Sequence, residues 1–399
     1  MRPSCALLLA LLAVSSPGIA QHADTVRTDT LAPGVTHTRL VRNAGPWVVH
    51  VVRIDRRRGG VNVRQVRAHD QLTTRERVSS MVARRVAAGE QVLAAVNADF
   101  FDLASGANEN NVVIDGEWWK GVRVTESPFD TFDNVHAQFA MDSAGRPLLD
   151  RFAFDGFARL SRTGFPLITL NTLPAGTYEG AALWTARYGA LTPRDTVRST
   201  TELTLTAAGR RGDTLLYVRR SEAKGGGSAI SPGGTVLSGY GARAATLDST
   251  ADGDTVRVTL GLSPWPRMPR RATPPALVIG GWPRLLRDGV NIAPRSAADE
   301  GTISRNAEVR HPRTAVGFSR DSATMLLVTV DGRSTASVGM TLVELADLLR
   351  ELGAWNALNF DGGGSTTMVI GGRVVNIPSD RTGERDVGNA LVISKRAHR

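Results

Sequence analysis

From Trp47 onward the chain is a succession of short β-branched and aliphatic runs, each stopped by Gly, Asp or Asn, and that rhythm permits little except a strand-rich fold. The runs "WVVHVVRID" (47–55) and "VNVRQVRA" (61–68) are joined by the turn-like "RRRGG". "TELTLTAAGRRGDTLLYVRRS" (201–221) and "DGDTVRVTLGL" (252–262) alternate and turn on Gly-Asp. "RTAVGFSRDSATMLLVTVDGR" (313–333) reads as two alternating strands around a polar turn. Glycine-rich "SEAKGGGSAISPGGTVLSGYGA" (221–242) is expected to carry turns between strands and to open no helix. No repeat of solenoid period is visible.

Two segments carry helical period instead. In "LTTRERVSSMVARRVAAGE" (72–90), Thr73 and Glu76 have capping-box spacing, Val78, Met81, Val82 and Val86 share a face, and Gly89 closes the helix. Thr341 and Glu344 repeat the spacing ahead of Leu342, Leu345, Leu348, Leu349 and Leu352, and Gly353 ends that helix. Each leads into an apolar strand, "VLAAV" (92–96) or "WNALNF" (355–360), and then a loop, "NADFFD" or "DGGGS". Functional loops collect at strand ends, so these two are expected side by side. The fold class is α+β, with strand-rich mixed sheets flanked by a few helices in a single large domain over residues 45–399. At 399 residues and 42% apolar content the chain has ample core for it.

The first twenty residues, "MRPSCALLLALLAVSSPGIA", have a basic start, an apolar run and small residues before Ala20. This is the pattern of a signal peptide cut after Ala20, giving an exported chain, periplasmic or extracellular, that begins at Gln21. The apolar run is too short to span a bilayer, so no transmembrane segment is expected in the mature chain. Cys5 is the sole cysteine, so the mature chain would have no disulfide, thiol nucleophile or cysteine metal site. Residues 21–44, polar and Thr-rich, are read as a linker or edge segment.

The formal charge is +10, yet lysine occurs only at 120, 224 and 395, and the arginines are spread along the chain. The densest cluster, Arg56 to Arg58, lacks interleaved aromatics, so no nucleic-acid partner is expected. An anionic substrate is compatible with this charge.

The stretch "NALNFDGGGSTTMVIGG" (356–372) stops a strand with Asp361 and three glycines. A nucleotide P-loop is rejected, because strand rather than helix follows and no Gly-Lys-Ser/Thr is present. Gly362, Gly363 and Gly364 can instead present backbone N–H groups as an anion nest. Ser365, Thr366 and Thr367 add hydroxyls, and Asp361 stands at the rim. A tight bulge, with Asp361 satisfying turn N–H groups, explains the same residues.

Seven motifs in order, "VNADFF" (96–101), "VIGGWPRLLRDG" (278–289), "RHPRTAVGF" (310–318), "VTVDGR" (328–333), "LNFDGGGSTTMVIGG" (358–372), "NIPSD" (376–380) and "GERDVGNAL" (383–391), resemble the phosphodiester glycosidases. Ala98 and Asp99 depart from a common glycine in that family, and Phe360 from a common aliphatic residue. The resemblance implies cleavage between a sugar's anomeric carbon and a phosphodiester. The expected substrate is thus a carbohydrate phosphodiester, in envelope or extracellular polysaccharide.

Glycoside hydrolysis usually employs two carboxylates. A phosphodiester is already a good leaving group, so one nucleophile or base with cationic support could suffice. Asp361 is the first choice, with Asp99, Asp331 and Glu384 as second carboxylates. Asp331 also reads as a turn residue, and Glu384 as an ion-pair partner of Arg381 or Arg385. Of Arg313, Arg333 and Arg385, one or two are expected on phosphate oxygens and the rest in structural pairs. Asn97 and Asn389, weighted by the resemblance, are candidates for sugar hydroxyls, as are Asn110 and Asn359, although strand-end Asn often caps backbone. Phe100 or Phe101 could stack on a sugar ring while the other is core, and Trp118 and Trp119 are platforms or buried. The histidines lack metal-ligand spacing, and His311 is a turn residue or an assistant. No cofactor is required; calcium at Asp248, Asp252 and Asp254 is left open, with a β-turn as the plainer account. Competing functions are a non-catalytic glycan-binding protein using the same cleft and a metal-dependent phosphodiesterase breaking P–O.

Overall fold

A computed structural model describes residues 25–43, 45–125, 135–175, 179–264 and 273–396. The expected signal peptide, its cleavage point and Cys5 lie outside the described residues. The segment read as a linker or edge is largely strand. Thr25–Ala32 and Val35–Arg42 form an antiparallel hairpin, and the second strand pairs in turn with Trp47–Asp55. The hairpin is the margin of an eight-stranded sheet.

That sheet interleaves distant parts of the chain. Thr324–Val330 lies beside Trp47–Asp55, then come Arg313–Phe318, Asn356–Asn359 and Arg284–Arg287. The run "RTAVGFSRDSATMLLVTVDGR" forms the expected hairpin, with Arg313 opposite Val330. A five-stranded antiparallel sheet packs against it, with Val92–Asn97 and Asn389–Lys395 near its centre. Val52, Ile54, Val316, Leu327 and Leu358 of the first sheet share a core with Ala94, Val96, Met368, Leu391 and Ile393 of the second. The helix Leu342–Glu351 covers the other face, setting Leu342, Leu345, Leu348 and Leu349 against Val49, Val51, Leu326 and Val328. With both faces buried, the central strands read as continuous apolar runs rather than alternating ones.

"WVVHVVRID" and "VNVRQVRA" do not pair with each other. After a single turn of 3-10 helix at Arg56–Arg58 the second strand, Val61–Arg67, joins the five-stranded sheet. The middle of the chain builds a twelve-stranded mixed sheet with its own core, including Phe165, Leu183, Leu203, Leu237 and Val258. Thr200–Arg211 and Thr214–Lys224 form the Gly-Asp hairpin there. One expectation fails in this region, because Gly241, in the left-handed region at φ 61°, leads into a short helix, Ala242–Leu247.

The two helix starts also differ. Thr341 and Glu344 form a true capping box, with Glu344 N–H donating to Thr341 Oγ1 at 3.1 Å and Thr341 N–H to Glu344 Oε2 at 2.9 Å. Thr73 and Glu76 do not. That helix begins at Val78, and Glu76 is drawn into a bridge with Val387 while its carboxylate accepts from His69 N–H at 2.8 Å. The cap comes from far away: Glu384 accepts from Ser79 N–H at 2.8 Å and Ser79 Oγ at 2.5 Å.

Candidate active site

The two Asn-Asp loops meet, as their shared syntax predicts. Asp361 N–H donates to the Ala98 carbonyl at 2.8 Å, and Asn97 Nδ2 donates to the Asp361 carbonyl at 2.6 Å. Asn97 Oδ1 accepts from Thr314 Oγ1 at 2.8 Å and Thr367 N–H at 3.1 Å. Its amide is spent joining strand ends, so Asn97 is a buried tie and not a sugar ligand.

At this junction opens a cleft of about 330 Å³, whose lining includes Phe100, Trp282, Arg305, His311, Arg313, Arg333, Asn359, Asp361, the three glycines and Arg385. Nearly all stand just beyond a strand end. Asp361 is partly exposed. Burial pushes its pKa up to about 6, against the pull of the Ser365 hydroxyl, the Arg385 guanidinium and the Gly362 N–H. A carboxylate poised there can act as nucleophile or base near neutral pH.

The glycines are not an open anion nest. Gly363 N–H donates to the Pro312 carbonyl at 2.9 Å, Gly362 N–H supports the Asp361 carboxylate, and Gly363–Ser365 winds into one 3-10 turn. Side chains are excluded for reasons of space and backbone. A Cβ on Gly362 would meet the Pro312 carbonyl, one on Gly364 would enter the Asp380–Arg385 pair, and Gly363 has φ 58°. The loop therefore leaves room for Arg333 beside Gly363 and for the Asp380–Arg385 pair beside Gly364, and Asp361 shares their cleft.

The arginines divide by role. Arg385 grips Asp380 through two hydrogen bonds, 2.7 and 3.0 Å, and reaches Ser365 Oγ at 3.4 Å. Arg333, left-handed at φ 61°, touches Ser379 Oγ at 3.3 Å. Arg313 is buried and gives its N–H groups to the carbonyls of Met340, Asn306 and Val309. Burial, and next the charge of Arg333, lower its pKa to about 10. None of Arg305, Arg313 and Arg333 forms an ion pair among the described residues, so the cleft gathers cationic side chains around the Asp361 carboxylate.

The other carboxylates named from sequence stand elsewhere. Asp99 is buried and faces away, accepting from Asn110 Nδ2 at 2.8 Å and Asn110 N–H at 3.3 Å; burial raises its pKa to about 7. Asp331 accepts from Ile377 N–H at 3.0 Å, and burial raises it to about 6. It holds the 376–380 turn that supplies Ser379 and Asp380. Glu384 is the helix cap and pairs with neither Arg381 nor Arg385. Asn389 Oδ1 accepts from Asp99 N–H at 3.0 Å, while Thr366 and Thr367 are buried beneath the loop. Of the aromatics, Phe100 meets Trp282 edge-on at 5.7 Å in the cleft wall. Phe101 is largely core despite touching the cleft, Trp118 packs on Phe154, and Trp119 is buried under Arg187. Asp248, Asp252 and Asp254 each turn to different partners: Lys224, Arg219 and the Ala251 N–H.

Sequence reasoning left Trp282, Asp380 and Arg305 unassigned. Trp282 and Asp380 lie inside recognised motifs, "GGWP" and "NIPSD", which was their available signal. Arg305 lies in none.

Comparisons with known proteins bear on this site. Residues 207–394 match a family model described as phosphodiester glycosidase. A mouse protein named N-acetylglucosamine-1-phosphodiester alpha-N-acetylglucosaminidase is 31% identical over 242 residues, covering 57% of this chain and 43% of that one. The chain thus spans less than half the length of that relative. A solved structure from Synechocystis, described as a hypothetical protein, aligns at TM-score 0.72 and 22% identity, covering 94% of this chain and 64% of that one; it shows the fold. Another, from Burkholderia pseudomallei K96243 and provisionally described as exported, aligns at TM-score 0.66 and 26% identity over 90% of this chain and 77% of that one. The resemblance to the phosphodiester glycosidases is borne out.

Proposed function

Taking this likeness to the phosphodiester glycosidases as premise, we propose that the protein hydrolyses the bond between a sugar's anomeric carbon and a phosphodiester. The observation that carries the proposal is one raised carboxylate, Asp361, sharing a small cleft with Arg305 and Arg333, which form no ion pair among the described residues, and with Arg385. The arginines hold the phosphodiester and stabilise it as it departs with the bonding electrons. The ionised Asp361 carboxylate either attacks C1 or takes the proton of a water that does. Phe100, backed edge-on by the buried Trp282, offers an apolar ring to the sugar. The cleft sits at the small end of ligand pockets, which suits one sugar and its phosphate with the rest of the substrate outside. The expected cleavable signal peptide supports a substrate in envelope or extracellular polysaccharide.

A panel of sugar-1-phosphodiesters, nucleotide sugars included, tests the reading by assay of free sugar. The wild type is expected to release sugar from at least one member. Asp361→Asn should stay folded and lose turnover about a hundredfold or more, as for loss of a positioned acid–base group. No release across the panel, with glycan binding demonstrated, would instead favour a binding protein.

A further inference from the structure

Thr302, Arg305 and Asn306 line one side of the cleft, and side chains from the site hold the main chain of residues 300–309 in place. Trp282 Nε1 donates to the Glu300 carbonyl at 2.7 Å, His311 Nε2 to the Arg305 carbonyl at 3.1 Å, and Arg313 Nη2 to the carbonyls of Asn306 and Val309 at 2.7 and 3.0 Å. Trp282 and Arg313 are themselves buried, so they anchor this strip firmly. The strip includes a single helical turn, Ser304–Ala307, and on that turn Arg305 is exposed and lines the cleft.

Its guanidinium differs from its neighbours. Arg313 is saturated with carbonyls, Arg385 is held by Asp380, and Arg333 touches Ser379. The Arg305 side chain has neither hydrogen bond nor ion pair among the described residues. It stands with Arg313 and Arg333 around His311, and all three charges press the imidazole towards neutrality after burial has done so. Three cations gathered around one imidazole repel one another. An anion between them relieves that repulsion.

We propose that Arg305 selects the substrate's charge, its planar fork taking the non-bridging oxygens of the phosphodiester. This rests on the reading of the cleft given above. The buried Arg313 contributes field and anchors the strip, while Arg305 makes the contact. The strip thereby becomes the element that separates sugar phosphodiesters from uncharged glycosides.

The test uses the full chain and Arg305→Gln and Arg305→Lys. Calorimetric titration with a sugar 1-phosphate and with the neutral methyl glycoside of the same sugar needs no turnover, so it stands apart from whether the protein is an enzyme. Arg305→Gln should weaken the sugar 1-phosphate about ten- to a hundredfold, the range for one lost charged hydrogen-bonding partner. It should leave the neutral glycoside unchanged, and Arg305→Lys should recover part of the loss. On a hydrolysed phosphodiester kcat/KM should fall at least as far, with part of the loss in kcat, because the same contact stabilises the departing phosphodiester. Equal binding of the sugar 1-phosphate by wild type and Arg305→Gln, its failure to bind either, or parallel loss of both ligands would overturn the proposal. If sugar 1-phosphate binds as expected while no phosphodiester is cleaved, charge selection stands and the hydrolase reading falls.

Discussion

Asp361 must be ionised to attack C1 or to take a proton, and burial has moved its pKa to about 6. The folded protein therefore favours the neutral carboxyl. Its stability cost is complete above about pH 6, fades as pH falls, and is gone below the ordinary carboxylate range. Activity runs the other way. The kcat/KM of the wild type should rise with pH and level off above an acid limb near 6, measured on whichever phosphodiester the panel identifies. A limb near 4 would mean that burial does not raise Asp361. This residue was legible because a lone carboxylate at a strand end precedes glycines that crowd its neighbours together. Asp99, Asp331 and Glu384 looked equivalent in sequence. Their directions are set by Asn110, Ile377 and Ser79, partners whose positions local pattern does not encode.

At the scale of elements, the two capping-box spacings show where local reading ends. Thr341 and Glu344 form the box because the residue before the helix is extended and free to cap it. At Thr73 and Glu76 the same spacing was taken over by the bridge to Val387, and the helix start moved to Val78. Glu384 then caps Ser79, so Glu384→Ala should lower stability by about 1 kcal/mol, as for loss of an N-cap. Turnover should be kept within a few fold, since Glu384 does not line the cleft. Thermal melts and a standard assay check this, and collapse of turnover without loss of stability would return Glu384 to the candidate carboxylates. The hairpins at 200–224 and 313–330 were readable, because alternation and Gly-Asp or polar turns fix them locally.

Across the whole molecule, the site exists only because the chain is interleaved. Trp47–Asp55 lies beside Thr324–Val330, and Asn389–Lys395 fills the place between Val61–Arg67 and Val92–Asn97. The class of fold followed from strand rhythm, but strand order did not. Runs 47–55 and 61–68 look like a hairpin and belong to different sheets, because pairing over hundreds of residues is decided by packing of both faces. The interleaving brings one carboxylate, an aromatic wall and a set of arginines to one cleft, and the proposed hydrolysis places the break there at the sugar C1–O bond and not at P–O. Hydrolysis in oxygen-18 water tests that choice directly. Cleavage at C1–O puts the heavy oxygen on the C1 hydroxyl of the released sugar, with none in the phosphate. Label in the phosphate and none in the sugar would contradict it.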